Sequence, residues 1–242
     1  MKHILAVYQW CVAMPILLVM TIITALLTIF FSLLGMSRRG GYYPAYFWAK
    51  LWCILMFVKV EVKGRENIDP KTSYVFVANH QGAYDIYLVY GYLNHNFKWM
   101  MKKSLEKIPF VGAACRISKH IMVDRSSASA IQQTMDSAKR ILKDGMSLVV
   151  FPEGSRTPDG EMKKFKRGAF SLATEFGLPI VPLTIDGSYD VMPKNTFRIT
   201  PGKISLTIHK PIYFDKVGAD NKALTEELLE KSYNVIKSGL PG

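Results

Sequence analysis

Cysteine is scarce in this 242-residue chain. Cys11, Cys53 and Cys115 are odd in number, show no Cys-x-x-Cys spacing, and two of them lie in apolar stretches. They read as packing thiols in a reducing compartment, not as disulfide partners, metal ligands or nucleophiles. There is no His-Glu-x-x-His pair and no Walker glycine loop, so no motif asks for a catalytic metal, a cofactor or a bound nucleotide. A Gly-x-Ser-x-Gly elbow is missing too, because Glu153-Gly154-Ser155-Arg156-Thr157 lacks the closing glycine. Internal repeats and low-complexity tracts are also absent. Charge is missing in one place: between His3 and Arg38 the 34 intervening residues carry none.

A bilayer is crossed by ~20 apolar residues, so this run is long enough. It is too long for a signal peptide, and no small-x-small cleavage site follows it. A buried soluble helix is the remaining alternative, and the length favours the membrane. The next stretch, Tyr42 to Phe57, is apolar but rich in Tyr and Trp and interrupted by Lys50. Aromatic residues with a snorkelling lysine suit the headgroup level. Residues 1–56 therefore read as a membrane-anchoring helical hairpin, the first helix deep and the second nearer the interface, with Gly40, Gly41 and Pro44 at the turn. The other reading of the second segment is that it covers the sheet of the following domain.

The net charge is +12, with pI ≈ 9.5. Nucleic acid is excluded as the partner by the want of a binding motif and by the anchor. An anionic bilayer and an anionic substrate fit better. Arg38, Arg39, Lys50, Lys59 and Lys63 follow the first helix against only Lys2 before it, which places the C-terminal domain on the cytoplasmic side.

From residue 57 to 242 strands and helices alternate. Val58, Val60 and Val62 alternate with Lys59, Glu61 and Lys63 as a half-exposed strand. Strands are expected at 74–79, 97–101, 120–123, 147–151, 180–185 and 203–209. Helices are expected at 84–93, around 169–176, and near the C-terminus, where Leu224, Leu228, Leu229 and Ile236 share a face. Another begins at a Ser126 or Ser127 cap, carries Ile131, Met135, Ala138 and Leu142 on one face, and ends at Gly145. The class is α/β, a mixed, largely parallel sheet flanked by helices.

Two of these strands deliver chemistry. The run ending at Asn79 presents His80, with Asp85 five positions on, and the run ending at Phe151 presents Pro152-Glu153-Gly154-Ser155-Arg156. Sites in open α/β sheets form beyond the carboxyl ends of the strands, so the two motifs can face one crevice. Neutral imidazole takes a proton from a hydroxyl while a carboxylate fixes its tautomer and stabilises the imidazolium. Arg156, just past a strand end beside Gly154, suits a phosphate, which guanidinium grips in bidentate fashion. Lys103 is a further candidate. His95, His120 and His209 lack an acidic partner and read as structural, and the Lys163, Lys164, Lys166, Arg167 run reads as a membrane-facing surface.

The Asn79-His80-x4-Asp85 block, Val123-Asp124-Arg125, Phe151-Pro152-Glu153-Gly154-Ser155-Arg156 and Ile180-Val181-Pro182 together resemble the four ordered blocks of the glycerolipid acyltransferases. The likeness spans about residues 58 to 212 and is greatest to bacterial 1-acyl-sn-glycerol-3-phosphate acyltransferases. One departure is Gly82, where many members carry serine or asparagine. The resemblance implies transfer of a fatty acyl group from a thioester of acyl carrier protein or coenzyme A to the sn-2 hydroxyl of lysophosphatidic acid. Phosphatidic acid for phospholipid biosynthesis would be made at the inner (cytoplasmic) membrane. His80 and Asp85 would be catalytic, Glu153 and Gly154 near the acceptor's glycerol, and Arg156 and Arg125 on its phosphate. It also brings Val181 and Pro182 near the acyl donor, although packing accounts for both. Three rivals stay open: a different lysolipid acceptor, a membrane-bound hydrolase, and a non-enzymatic module for acidic lipids. The last leaves the His80–Asp85 spacing unexplained.

Overall fold

The uncharged N-terminal stretch forms one long helical run, His3–Gly40, the one helix among the described residues long and apolar enough to cross a membrane. The structure is a computed structural model describing residues 2–124, 126–215 and 221–241. The run consists of α1 (Lys2–Tyr8), a π-turn at Gln9–Ala13, α2 (Met14–Phe31), a second π-turn at Ser32–Met36, and α3 (Ser37–Gly40). Pro15 has no N–H to give the preceding turn, which accounts for the first widening. Gly35, at φ 80°, interrupts the second. Leu17, Ala25 and Thr28 face the protein, while Ile4, Leu18, Phe30 and Leu33 are exposed. Such a continuous apolar exterior is what a lipid environment accepts and water does not.

The chain turns at Gly41 and returns as α4 (Tyr43–Leu55). Trp48 Nε1 donates to Thr21 Oγ1 at 2.8 Å, joining the two helices. The Ala45, Ala49 and Cys53 face of α4 is buried against α5 (Tyr84–Tyr92), where Trp52 stacks on Tyr87 with ring centroids 4.8 Å apart. The second helix therefore covers the domain on one face and leaves Phe47 and Ile54 exposed on the other. Lys98 completes the join: its buried amine donates to the Ser37 carbonyl at 2.8 Å, and burial, then Lys119 and Arg38, push it down to about 8.

Seven strands form the sheet: β1 (Lys59–Lys63), β2 (Val75–Ala78), β3 (Phe97–Lys102), β4 (Ile121–Val123), β5 (Ser147–Val150), β6 (Ile180–Asp186) and β7 (Lys203–Ile208). Their order is β1-β7-β6-β2-β5-β3-β4. Every neighbouring pair is parallel except β6–β7, so the sheet is mixed and largely parallel as its spacing implied. Alternation along β2 sorts its side chains. Phe76 and Ala78 enter the core shared with α4 and α5, whereas Val75 and Val77 enter the one beneath α7 (Ala128–Lys143), α8 (Gly168–Phe176) and α10 (Asn221–Ser238). Two short helices escaped the sequence reading, α6 (Val111–Ile117) and α9 (Ser188–Val191).

Ser127 caps α7 by accepting from Ala130 N at 3.1 Å. The inward face of α7 differs from its apolar spacing: Ile131 is exposed, and Thr134 turns inward instead. Its hydroxyl accepts from Asp124 N at 3.2 Å and donates to the Ala130 carbonyl at 3.0 Å, which makes burial of a polar side chain acceptable.

Candidate active site

β2 and β5 are adjacent, with Phe76 opposite Val149 and Val77 opposite Val150, so both motif-bearing loops leave the same edge of the sheet. Asn79 ends β2 with a side-chain clamp on β6. Its Nδ2 donates to the Ile185 carbonyl at 2.7 Å, and its Oδ1 accepts from Ile185 N at 2.8 Å. The next residue, His80, is held at both main-chain groups by the loop after β5. Its N–H donates to Glu153 Oε1 at 2.8 Å and its carbonyl accepts from Thr157 N at 2.9 Å. The two motif-bearing loops therefore meet at one edge, as expected.

The His80 ring lies flat on Phe151, with centroids 4.0 Å apart and planes at 7°, and Trp99 stacks behind Phe151. Nδ1 lies 2.7 Å from Asp85 Oδ2. Asp85 is fully buried in the first turn of α5, where the helix N-terminus favours a carboxylate. Its Oδ2 also accepts from Gly82 N at 3.1 Å, and its Oδ1 accepts from Ser188 Oγ. A carboxylate so occupied is fixed, and the ring it holds keeps Nε2 for chemistry. Among the described residues nothing bonds that nitrogen. The pair is set for taking a proton from a hydroxyl.

Ser188 gave no signal in the sequence, since it stands 103 positions beyond Asp85. It begins α9 after Gly187, whose φ of 80° turns the chain at the end of β6. The same turn reaches the second loop, for Tyr189 OH donates to the Pro158 carbonyl at 3.0 Å. Gly82 meets it from the other side: a Cβ there would sit 2.3 Å from the Ser188 carbonyl oxygen. The departure at Gly82 thus has a local steric cause.

The remaining expected residues divide. Glu153, expected near the acceptor's glycerol, is only 5% exposed, and its second oxygen accepts from Lys163 N at 3.1 Å. Both oxygens are engaged by main chain, and burial pushes its carboxyl up. Here it braces His80. Lys163, expected on a membrane-facing surface, instead turns back to donate to Ser155 Oγ at 2.8 Å and the Arg156 carbonyl at 3.1 Å. Gly154, at φ 80°, is exposed at the loop tip, as only glycine readily is in that conformation. Arg156 is half-buried, and among the described residues no carboxylate pairs with it; its charge is felt by Tyr87 of α5. Lys103 lies at the same edge, 58% exposed, and pairs with Asp124 at 2.8 Å, a contact that holds the Asp124 carboxyl well below the usual range. Arg125 lies outside the described residues. Val181 and Pro182 are buried in β6 opposite Phe76 and Val77, as packing requires.

Comparison with known proteins gives a consistent picture. A family model described as Acyltransferase matches residues 59–186. The chain is 33% identical over 187 residues to a 1-acyl-sn-glycerol-3-phosphate acyltransferase of Chlamydomonas reinhardtii, covering 76% of this chain and 54% of that one. To the enzyme of that name from Pseudomonas aeruginosa it is 32% identical over 177 residues, covering 69% and 67%. The crystal structure of the 1-acyl-sn-glycerophosphate (LPA) acyltransferase, PlsC, from Thermotoga maritima superposes with a TM-score of 0.74 at 30% identity, covering 88% of this chain and 85% of that one. The chain spans about half the length of the algal and plant relatives it matches.

Proposed function

The chain belongs to the Acyltransferase family, and from that premise we propose that it carries a fatty acyl group from an acyl thioester to the free sn-2 hydroxyl of lysophosphatidic acid, giving phosphatidic acid for phospholipid biosynthesis. The donor is a thioester of acyl carrier protein or coenzyme A. The observation that carries this reading is the His80–Asp85 pair, with Nδ1 engaged at 2.7 Å and Nε2 left open.

Nε2 accepts the acceptor's hydroxyl proton as that oxygen attacks the thioester carbonyl. Asp85 stabilises the imidazolium that results. The tetrahedral intermediate collapses, the C–S bond breaks, and the imidazolium returns its proton to the departing thiolate. The acceptor's hydroxyl stands where a hydrolase would place its serine, so no acyl-enzyme is formed. Arg156 binds the acceptor phosphate, with Arg125 and Lys103 as further cations and Gly154 beside the glycerol. Glu153 acts through the His80 main chain. The first helix holds the enzyme in the inner (cytoplasmic) membrane, and the cations that follow it keep the catalytic domain on the cytoplasmic side.

The test uses the purified full chain in detergent, labelled acyl donors on both carriers, and a panel of lysolipid acceptors. His80→Ala should lower turnover by ~10²–10⁴, the usual worth of a positioned base. Near-normal transfer by that variant would refute the mechanism, and a preference for another lysolipid would refute the acceptor.

A further inference from the structure

We propose that Lys163 is a positioning residue for the acceptor: its ammonium clamps the chain at Ser155 and Arg156 and so aims the guanidinium, a role that rests on the phosphate contact proposed for Arg156. Residues 151–167 join β5 to α8 without a strand or helix of their own. Much of this loop is tied down. The Pro152 carbonyl accepts from Lys166 N at 3.0 Å, Glu153 holds His80 N, and Thr157 N donates to the His80 carbonyl. Between those ties stand Gly154, exposed at φ 80°, exposed Ser155 and half-buried Arg156. A stretch led by glycine, with its side chains toward solvent, has much conformational freedom to lose. Yet its arginine has to meet a phosphate in a fixed, bidentate geometry.

Lys163 supplies the missing constraint. Its Nζ donates to Ser155 Oγ at 2.8 Å, to the Arg156 carbonyl at 3.1 Å, and to the Ser155 carbonyl. Among the described residues, the hydrogen bonds at Ser155 and Arg156 all come from this amine. An ammonium has three protons and no acceptor, so these oxygens occupy every donor it has. That count separates two roles. A lysine with a free proton beside Arg156 would be a second phosphate ligand. One with all three engaged by the loop acts through the residue whose main chain it holds.

The reading of Lys163 as one more solvated cation of a basic run fails for the same reason. The side chain is half-buried and reaches back across seven and eight positions to its partners, whereas Lys164 beside it is exposed. The main chain of Lys163 has a separate task, since its N–H donates to Glu153 Oε2 at 3.1 Å. A side-chain substitution leaves that brace in place, so aiming Arg156 and bracing His80 are separable.

The test is steady-state acyl transfer by the purified full chain in detergent, at saturating donor. Lys163→Met, Arg156→Ala and the double variant are compared with the unmodified chain on lysophosphatidic acid and on a monoacylglycerol. Lys163→Met should raise KM for lysophosphatidic acid about 5- to 30-fold, as charge-assisted bonds on a partly exposed loop are lost, and leave kcat within about twofold. The monoacylglycerol, with no phosphate to place, should lose much less. In the Arg156→Ala background there is no guanidinium to aim, so adding Lys163→Met should raise KM by less than about twofold more. Lys163→Arg should recover part of the loss, and Lys164→Met, which removes the same charge next door, should change nothing. A fall in kcat equal on both acceptors, with a lowered Tm, would make the clamp merely structural and overturn the proposal. Additive effects in the double variant, beside a phosphate-selective loss in Arg156→Ala, would overturn it alone. Equal losses on both acceptors in Arg156→Ala would refute the phosphate contact, and the proposal with it.

Discussion

Glu153→Gln separates two roles that the same residue is given by family likeness and by geometry. As it stands, one oxygen accepts from His80 N at 2.8 Å and the other from Lys163 N at 3.1 Å. Glutamine keeps one acceptor and turns an amide NH2 toward the other N–H, so at least one bond to a charged acceptor is lost. Such bonds are worth about 1.5–3 kcal/mol. Part of this is returned, because the buried carboxylate is costly and its carboxyl is already pushed up by burial. A net loss of about 1–2 kcal/mol lowers Tm by roughly 2–8 °C in a chain of this size. Since these two bonds tie the His80 main chain to the Lys163 loop, kcat should fall with Tm while KM for the acceptor stays near its original value. Thermal unfolding in detergent and steady-state acyl transfer on the same preparation check both. An unchanged Tm with a raised acceptor KM would refute the bracing role and return Glu153 to the substrate.

Arg156→Ala should cost roughly 10- to 150-fold in kcat/KM for lysophosphatidic acid, the worth of a charge-assisted bond, and less for a monoacylglycerol that has no phosphate to lose; equal losses on the two acceptors would move the phosphate site to Arg125 and Lys103. Ser188→Ala should lower kcat about tenfold, because fully buried Asp85 Oδ1 would lose its donor, and Ser188→Thr should restore part of it; full activity in the alanine variant would refute the role. Acid should destabilise the fold ahead of general carboxylate protonation. Burial lowers His95 to about 4 and His120 to about 3 from an ordinary 6.5, so both are neutral when folded and bind protons more readily unfolded. Their contribution is complete above 6.5 and falls by up to about 1.4 kcal/mol per unit for each as pH drops toward 4; a flat Tm between pH 6.5 and 4.5 would contradict it.

The strands were legible because parallel strands buried on both faces must be continuous apolar runs, and 75–78, 148–150 and 180–183 are such runs. The long first helix was legible for the same kind of reason, an uninterrupted absence of charge. What escaped is what depends on contact. Ile131 fits an apolar stripe by spacing, yet Thr134 took the inward place once Asp124 N and a carbonyl were at hand. Lys163 belongs to a basic run, and only the folded loop shows it turned onto Ser155 and Arg156. α9 is four residues long, too short for any periodicity to announce it.

That short turn explains why the His80–Asp85 block is not self-sufficient. His80 and Asp85 are neighbours in sequence and meet through one 2.7 Å contact, but a carboxylate with a single partner would be free to rotate. Two further donors fix it, one local, Gly82 N, and one distant, Ser188 Oγ. To bring Ser188 that close its main chain must press on the loop between His80 and Asp85, and the carbonyl occupies the space where a side chain at 82 would begin. Glycine at 82 and serine at 188 are therefore one arrangement: the first gives up a side chain so that the second can hold the base's partner. The motif names the paired residues, and the far end of β6 decides how firmly they are held.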